Sequence, residues 1–258
     1  GSGLAMGGMI PVFAVYSTFL QRSYDQIIHD ASIQQLHLIL AIDRAGIVGE
    51  DGKTHQGLFD TSFLNNIPNV TILCPSYFEE LRFMLKDAVY NESKIVAVRY
   101  PRGRELYKPK NFLIKDSRYL FFGEEKSDIL IITYGRLFSF ACECMERLEK
   151  QGISACILKL NTVKPINNGA VIGAKQFKYC FFFEEGISCG GIGEHFLYKL
   201  IENDFSGKYI LTAIDDQYVE QSTVASALKK YKLDTDGMEE VILKKIKCDG
   251  EFCGEEKT

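Results

Sequence analysis

The sequence has no apolar run long enough to cross a membrane and no surplus of positive charge. Among its 258 residues, no uninterrupted apolar stretch approaches the roughly 18 residues that a membrane-spanning helix needs, and no basic segment opens the chain. Lysine and arginine number 30 against 34 aspartate and glutamate residues, a formal charge of −4. A mildly acidic chain is a poor general binder of phosphate backbones. We therefore expect a cytoplasmic protein whose partners include neither a membrane nor a nucleic acid.

The sequence also lacks a clear set of metal ligands. Cys142 and Cys144 stand two apart in a stretch predicted to be helical, where they would not share a face. Cys248 and Cys253 have no second cysteine or histidine pair beside them to complete a tetrahedral site. Other cysteines, such as Cys156, sit among apolar residues. We predict that the cysteines are mostly buried free thiols and that the chain holds no metal.

Short apolar runs alternate with longer amphipathic stretches, which is typical of parallel strands joined by helical crossovers. The chain is 46% apolar, enough for a sizeable core, and its length favours two domains. We predict an α/β fold of two small domains, each a mostly parallel sheet flanked by helices. The predicted boundaries are 1–104 for the first domain, 105–126 for a linker and 127–258 for the second domain.

The pattern also predicts individual elements. The predicted strands are 10–15, 36–42, 70–73, 95–98, 129–133, 154–160, 179–183 and 209–213. The predicted helices are 17–34, 76–90, 137–151, 193–203 and 221–231. Ser76 and Glu79 have the spacing of a capping box, which would start the second helix at Ser76.

One polar loop concentrates chemically useful side chains directly after a predicted strand. Residues 41–57 contain Asp43, Arg44, Asp51 and His55 together with four glycines. Open α/β sheets carry their ligands at the carboxyl ends of strands. Arginine suits a phosphate group, and histidine can exchange a proton near neutral pH. The residues alone leave open whether this is a ligand site or a solvated loop with a satisfied histidine.

A second arginine and two aromatic residues lie at other predicted strand ends. Arg102 follows the strand 95–98 and can converge with Arg44 on one phosphate, although a surface arginine before the linker is the alternative interpretation. Tyr16 and Phe19 stand three residues apart where strand 10–15 enters a helix. Phe19 is either part of the core or a platform on which a flat heterocycle stacks.

Taken together, these motifs resemble a known family. The matching segments are Tyr-Ser-Thr-Phe-Leu-Gln-Arg at 16–22, Ala-Ile-Asp-Arg-Ala-Gly-Ile-Val-Gly at 41–49, Asp-Gly-Lys-Thr-His-Gln-Gly at 51–57, Arg-Tyr-Pro-Arg-Gly at 99–103, Ile-Ile-Thr-Tyr-Gly at 131–135, Glu-Glu at 184–185 with Gly-Gly-Ile-Gly at 190–193, and Leu-Asp-Thr-Asp-Gly-Met at 233–238. In order and spacing they resemble the 1-deoxy-D-xylulose-5-phosphate synthases, thiamine-diphosphate enzymes of the transketolase superfamily. The likeness covers nearly the whole chain.

The resemblance implies an activity and a fold. Pyruvate would be decarboxylated on thiamine diphosphate and its two-carbon unit joined to D-glyceraldehyde 3-phosphate, giving a precursor of isoprenoids, thiamine and pyridoxal. Residues 1–104 would be part of the pyrimidine-binding domain, and 127–258 the transketolase C-terminal domain. Family members are dimers, so a homodimer is expected.

The resemblance also implies roles for individual residues. Phe19 would stack on the aminopyrimidine ring of the cofactor, and Arg44 and Arg102 would hold the phosphate of the acceptor. Tyr16 would line the same pocket. Asp51 and His55 are its candidate catalytic residues. Arg22 matches a family position near the site without a separate role.

The chain departs from the family pattern in what it omits. No Gly-Asp-Gly metal motif is present, and residues 1–24 contain neither aspartate nor glutamate, so the glutamate that activates the cofactor has no counterpart. We therefore expect a fragment that lacks the amino-terminal domain, is inactive alone and binds neither thiamine diphosphate nor Mg²⁺, although the full-length parent would use both. The alternatives are the C-terminal subunit of a split transketolase-like enzyme and a non-catalytic module that binds a phosphate ligand.

The glycine-rich stretch 190–193 has two interpretations. A glycine turn before a helix can cradle an anion, but Phe196 occupies the last glycine position of a dinucleotide-binding pattern. Close packing of the helix is the favoured interpretation. We expect Glu184 and Glu185 to belong to this packed region and to be non-catalytic.

Overall fold

The structure is a computed structural model and describes residues 1–250. It contains two five-stranded sheets, one built mainly from each half of the chain. This arrangement confirms the predicted α/β fold with two mostly parallel sheets flanked by helices. Within the described residues, no helix is long and apolar enough to span a bilayer.

The first sheet has the strand order β1-β2-β4-β3-β8. Its strands are β1 (Val12–Tyr16), β2 (Ile39–Asp43), β3 (Val70–Leu73), β4 (Ile95–Arg99) and β8 (Thr162–Lys164). The first four run parallel, and β8 pairs antiparallel with β3. The α-helices of this half are α1 (Ser2–Met6), α2 (Ser17–Leu20), α3 (Tyr24–Gln26), α4 (Asp60–Asn65) and α5 (Phe78–Tyr90).

The second sheet has the strand order β10-β9-β6-β7-β5. Its strands are β5 (Tyr119–Gly123), β6 (Ile129–Thr133), β7 (Ala155–Leu160), β9 (Tyr179–Ile187) and β10 (Lys208–Ile214). Only β5 runs antiparallel to its neighbour. The helices of this half are α6 (Leu137–Lys150), α7 (Asn168–Ala174), α8 (Ile192–Glu202), α9 (Val224–Lys230) and α10 (Thr235–Cys248).

The two halves share strands and core. Strand β5 lies inside the predicted linker 105–126, and β8, which follows β7 in the chain, joins the first sheet. One apolar cluster contains Leu40 and Ile72 from the first sheet together with Leu130 and Phe182 from the second. The sheets therefore pack as one body, and the domain boundaries remain predictions.

Two predicted helix details are wrong. The stretch 17–34 is not one α-helix, because a 3₁₀ turn (Gln21–Ser23) separates α2 from α3 and a π-helical turn (Ile27–Ser32) follows. The amide of Leu36 bonds the carbonyl of Ala31, five residues back, which widens the coil locally.

The predicted capping box at Ser76 is the second error. Helix α5 begins at Phe78, and the Ser76 amide donates to Glu80 Oε2 at 2.7 Å, so Glu79 makes no cap. The other oxygen of Glu80 accepts a hydrogen bond from the buried Lys159 ammonium at 2.8 Å. The contact with Lys159 holds Glu80, and not Glu79, next to the Ser76 amide. This long-range contact is not visible in the local capping pattern.

Most of the described cysteines are buried, as predicted. The buried free thiols are Cys74, Cys142, Cys144, Cys156 and Cys180, whereas Cys189 and Cys248 are exposed. Burial raises the pKa of Cys180 to about 12, which keeps that thiol protonated. Cys253 lies outside the described residues.

Candidate active site

Three neighbouring strands of the first sheet end at the same edge. Tyr16 at the end of β1 is opposite Asp43 at the end of β2, and Ile42 is opposite Arg99 at the end of β4. The segments that leave these strands carry every predicted site residue. The topology therefore brings the predicted residues to one edge of one sheet, where open α/β sheets bind ligands.

The aromatic residues form a small stack at this edge. The rings of Tyr16 and Phe19 lie parallel with centroids 5.3 Å apart, and His55 meets Phe19 edge-on at 5.6 Å. Phe19 is 44% exposed, which excludes the core interpretation. A part of the Phe19 ring is therefore open to a flat heterocycle.

Arg44 lies over the outer end of this stack. Its guanidinium carbon is 3.7 Å from the centroid of the Tyr16 ring, and the same group pairs with the carboxylate of Asp43. Arg44 has a φ of 57°, an uncommon value for a residue other than glycine. Its amide donates to Asp43 Oδ1 at 2.7 Å, which stabilises this turn at the end of β2.

Arg102 lies further out and has a different partner. Its guanidinium is 3.9 Å from the carboxylate of Asp51, and both side chains are more than a third exposed. An exposed pair at this distance contributes about 0–1 kcal/mol, so a phosphate can displace it. The Arg22 side chain is exposed and has no hydrogen bond or ion pair within residues 1–250. The convergence of Arg44 and Arg102 on one phosphate remains a prediction.

His55 is carried by a closed loop. Gly46 and Gly57 exchange backbone hydrogen bonds of 2.6 and 2.8 Å, which close the loop at its neck. A Cβ atom on Gly57 would be 2.2 Å from the carbonyl oxygen of Arg44, so only glycine fits there. Thr54 Oγ1 is 2.9 Å from His55 Nδ1, which leaves Nε2 as the ring nitrogen without a partner in the described chain.

The loop interior is filled by a residue that the sequence analysis overlooked. The buried side-chain oxygen of Gln56 accepts hydrogen bonds from the amides of Val48 and Gly49 at 2.8 and 3.2 Å. In the sequence, Gln56 stands between a histidine and a glycine, and no local pattern predicts that its side chain is buried. Its burial is visible only in the folded loop.

A buried ion pair supports the loop from below. Arg99 Nε lies 3.0 and 2.9 Å from the two carboxylate oxygens of Asp60. Arg99 Nη2 also donates to the carbonyls of Gly57 and Glu185 at 3.2 and 2.8 Å. Arg99 therefore ties the neck of the loop to strand β9 of the second sheet.

The glycine-rich stretch 190–193 is filled by the chain itself. The buried carboxylate of Glu184 accepts hydrogen bonds from the amides of Ile192 and Gly193 at 2.9 and 2.8 Å, and from the Tyr134 hydroxyl at 2.7 Å. Burial raises the pKa of Glu184 above its ordinary value. A carboxylate of the protein takes the place of an external anion here, in agreement with the packing interpretation.

The site suits one end of the implied cofactor better than the other. The open part of Phe19 fits a flat ring such as an aminopyrimidine. Among residues 1–250, no group of three or more histidine, cysteine, aspartate or glutamate side chains is placed to hold a metal ion. The described residues thus offer a stacking surface for the ring.

Comparison with known proteins defines the class. Residues 1–106 match the family described as transketolase, pyrimidine binding domain, and residues 122–238 match transketolase, C-terminal domain. The chain therefore belongs to the transketolase superfamily.

Within that superfamily, the chain is similar to the 1-deoxy-D-xylulose-5-phosphate synthases. It is 41% identical over 246 residues to that of Clostridium botulinum (strain Eklund 17B / Type B), with 94% of this chain and 39% of the relative covered. It is 41% identical over 249 residues to that of Clostridium tetani (strain Massachusetts / E88), covering 95% and 39%. The chain thus spans about two fifths of these relatives, and the predicted resemblance is confirmed.

Solved structures show the same fold. A protein titled "Split gene transketolase, inactive beta4 tetramer" gives a TM-score of 0.81 at 23% identity over 94% of this chain and 78% of its own. Transketolase from Campylobacter jejuni subsp. jejuni NCTC 11168 gives 0.76 at 16% identity, over 94% of this chain and 37% of its own. At these identities the likeness concerns the fold alone.

Proposed function

We propose that this chain supplies the acceptor-binding and pyrimidine-stacking side of a 1-deoxy-D-xylulose-5-phosphate synthase. The supporting observation is the strand-end cluster of Tyr16, Phe19, Arg44 and His55 in a chain 41% identical to such synthases. The reaction would condense pyruvate with D-glyceraldehyde 3-phosphate and release carbon dioxide.

Two arginines would bind the phosphate of the acceptor. Arg44 is preoriented by its contact with Tyr16, and its planar group matches the oxygens of a phosphate. Arg102 would exchange its loose contact with Asp51 for the same phosphate. Arg22 is proposed to border the pocket.

His55 and Asp51 are the proposed proton-handling residues. His55 Nε2 has no partner within the described residues, so it can donate to the acceptor carbonyl oxygen as that oxygen becomes a hydroxyl. Asp51, released from Arg102 when phosphate binds, would orient the acceptor through its hydroxyl group.

Phe19 would hold the cofactor by stacking on its aminopyrimidine ring. Thiamine diphosphate, when bound, supplies the carbanion chemistry of the decarboxylation. We propose that the diphosphate and its Mg²⁺ are bound by the part of the synthase that this chain does not span. The chain alone would then be inactive and bind thiamine diphosphate too weakly for a saturable signal in calorimetric titration.

The wider setting is proposed by the same similarity. The assembled enzyme would be a cytoplasmic homodimer that supplies precursors of isoprenoids, thiamine and pyridoxal. The part of the synthase that this chain does not span would be its main partner.

The test is reconstitution of activity. The chain is mixed with the part of the Clostridium botulinum relative that it does not span, together with thiamine diphosphate, Mg²⁺ and pyruvate. We expect carbon dioxide release that depends on D-glyceraldehyde 3-phosphate. Folded, associated polypeptides that release none would refute the proposal.

Single variants then test the phosphate site. Arg44→Asn keeps a residue that tolerates positive φ while removing the cation. This variant and Arg102→Ala should each raise KM for D-glyceraldehyde 3-phosphate by about 10- to 100-fold, the value of a lost charge-assisted hydrogen bond. Arg82→Ala, an exposed arginine on α5, is the matched control and should leave KM unchanged.

Two other functions are compatible with the fold. A subunit of a split transketolase-like enzyme is favoured by the 78% coverage of the split-gene chain; it would require a separately encoded partner and would use a sugar phosphate donor. A non-catalytic module would bind triose phosphate yet give no turnover with any partner. The reconstitution assay separates the synthase from both alternatives, because neither of them would release carbon dioxide from pyruvate, and a second assay with a sugar phosphate donor separates the split enzyme from the non-catalytic module.

A further inference from the structure

One ion pair of the second sheet holds the backbone of Ile47 from both sides. The Ile47 amide donates to Glu185 Oε1 at 2.6 Å, and the Ile47 carbonyl accepts from Arg136 Nη2 at 2.7 Å. Arg136 Nε also donates to Glu185 Oε2 at 2.9 Å, and its Nη2 contacts Oε1. Both side chains are at most 10% exposed. A carboxylate and a guanidinium therefore bind the donor and the acceptor of one peptide residue.

This contact lies at the root of the loop that carries Asp51 and His55. Ile47 directly follows Gly46, which forms the neck with Gly57. The carboxylate of Glu185 also fills the space beside Gly46, where a Cβ atom would be 2.5 Å from its carboxyl carbon. The ion pair thus fixes the point from which the loop departs.

Two side-chain contacts between the loop and the second half are more exposed. Lys53 pairs with Glu220 at 2.7 Å, but both side chains are more than half exposed. Gln221 Nε2 donates to the carbonyl of Glu50 at 2.9 Å, also at the surface. Exposed pairs constrain a loop weakly. The buried pair at Ile47 is therefore, together with the buried Arg99 at Gly57, a firm link from the second sheet to the loop.

We propose that Arg136 and Glu185 are positioning residues for the acceptor site, a role that rests on the proposed function. They touch neither the aromatic stack nor Arg44. They act by holding the loop root, and displacement of a reacting group by about 1 Å can cost 100-fold in rate. The C-terminal domain is then part of the active-site machinery through the geometry that it imposes on His55.

The first measurement is hydrogen exchange on the chain itself. The amides of Ile47, Val48 and Gly49 bond the side chains of Glu185 and Gln56, so their exchange reports on the loop root. We expect Arg136→Lys, which keeps the charge but loses the planar fork, to speed their exchange at least tenfold. Amides of strand β2 should be unchanged.

The matched control is Arg147→Lys on α6, whose partners Asp236 and Glu239 are on α10 and have no hydrogen bond or ion pair with residues 41–57. It should leave exchange at the loop root unchanged. Two results would overturn the proposal: unchanged exchange of the Ile47, Val48 and Gly49 amides in Arg136→Lys, or equally faster exchange in all strands. Either result would show that Arg136 has no local effect on the loop root. Glu185→Gln, which keeps an oxygen for the Ile47 amide, repeats the test should Arg136→Lys fail to fold.

The second measurement uses the reconstituted synthase. Arg136→Lys should raise KM for D-glyceraldehyde 3-phosphate at least fivefold while KM for pyruvate stays within twofold. An equal change in both constants would contradict positioning of the acceptor. If the reconstituted wild-type chain gives no turnover, the proposed function fails. The exchange data still decide whether Arg136 and Glu185 hold the loop root in place.

Discussion

Replacing Asp60 with asparagine should destabilise the fold by several kilocalories per mole. Asp60 is 0% exposed and Arg99 is 6% exposed, and the carboxylate is the counter-charge of that guanidinium. Asparagine has almost the same shape, so the variant creates no cavity; it removes the charge and replaces one acceptor oxygen of Asp60 with an amide donor. Loss of one partner of a buried ion pair costs about 3–5 kcal/mol, a large share of a typical stability of about 5–15 kcal/mol.

The assay is urea denaturation followed by circular dichroism, with Asp236→Asn as the control. Asp236 bonds Arg147 at 2.6 Å, but the two side chains are 60% and 45% exposed. Its loss should cost less than about 1 kcal/mol. If the unfolding free energies of both variants fall equally steeply with urea concentration, both variants unfold to similar states. If Asp60→Asn costs no more than Asp236→Asn, the buried pair is not a major source of stability and the reasoning fails.

Three further predictions concern the loop neck, the thiols and one buried amine. Gly46→Ala should lower the unfolding free energy measured in urea by about 2–3 kcal/mol, because Gly46 has a φ of 81° and the added Cβ would clash with Glu185. Gly152→Ala, at a φ of 76° with nothing within 4 Å, should lower it by about 1 kcal/mol. Equal losses would show that the clash with Glu185 contributes nothing. In a Cys253→Ser background, Ellman's reagent at pH 8 should modify Cys189 and Cys248 rapidly and the buried thiols only on unfolding; a third fast thiol would contradict this burial. Burial lowers the pKa of Lys164 from 10.5 to about 8. Between pH 8 and pH 10.5, Lys164 is therefore protonated in the unfolded state and mostly neutral in the folded state. Relative to Lys164→Met, unfolding free energy should therefore rise by about 1–2 kcal/mol from pH 8 to pH 10.5, after allowance for solvent screening, and a fall would refute the shift.

Strand positions and the edge that bears the site were predictable from the sequence. Apolar β-branched runs such as Ile95–Arg99 form strands almost where the pattern places them. Parallel strands end at a common edge, and for that reason the order of strands and loops along the chain is enough to assign Tyr16, Arg44 and Arg102 to one side of a sheet.

The remaining features depend on contacts between distant segments. By its position in the sequence Arg99 resembles a site cation like Arg102, but burial beside Asp60 makes it structural. Glu185 lies 138 residues from Ile47, and no local pattern links them. The breaks in the stretch 17–34 are also missing from the sequence pattern, which predicts one continuous helix there.

Strand β8 makes the halves of this chain inseparable by simple truncation. It is only three residues long, from Thr162 to Lys164, yet it covers the outer edge of β3. A protein cut after residue 106 would expose that edge, with its unpaired amides and carbonyls open to any other strand. We therefore expect such a truncated protein to aggregate and not to fold as a stable monomer.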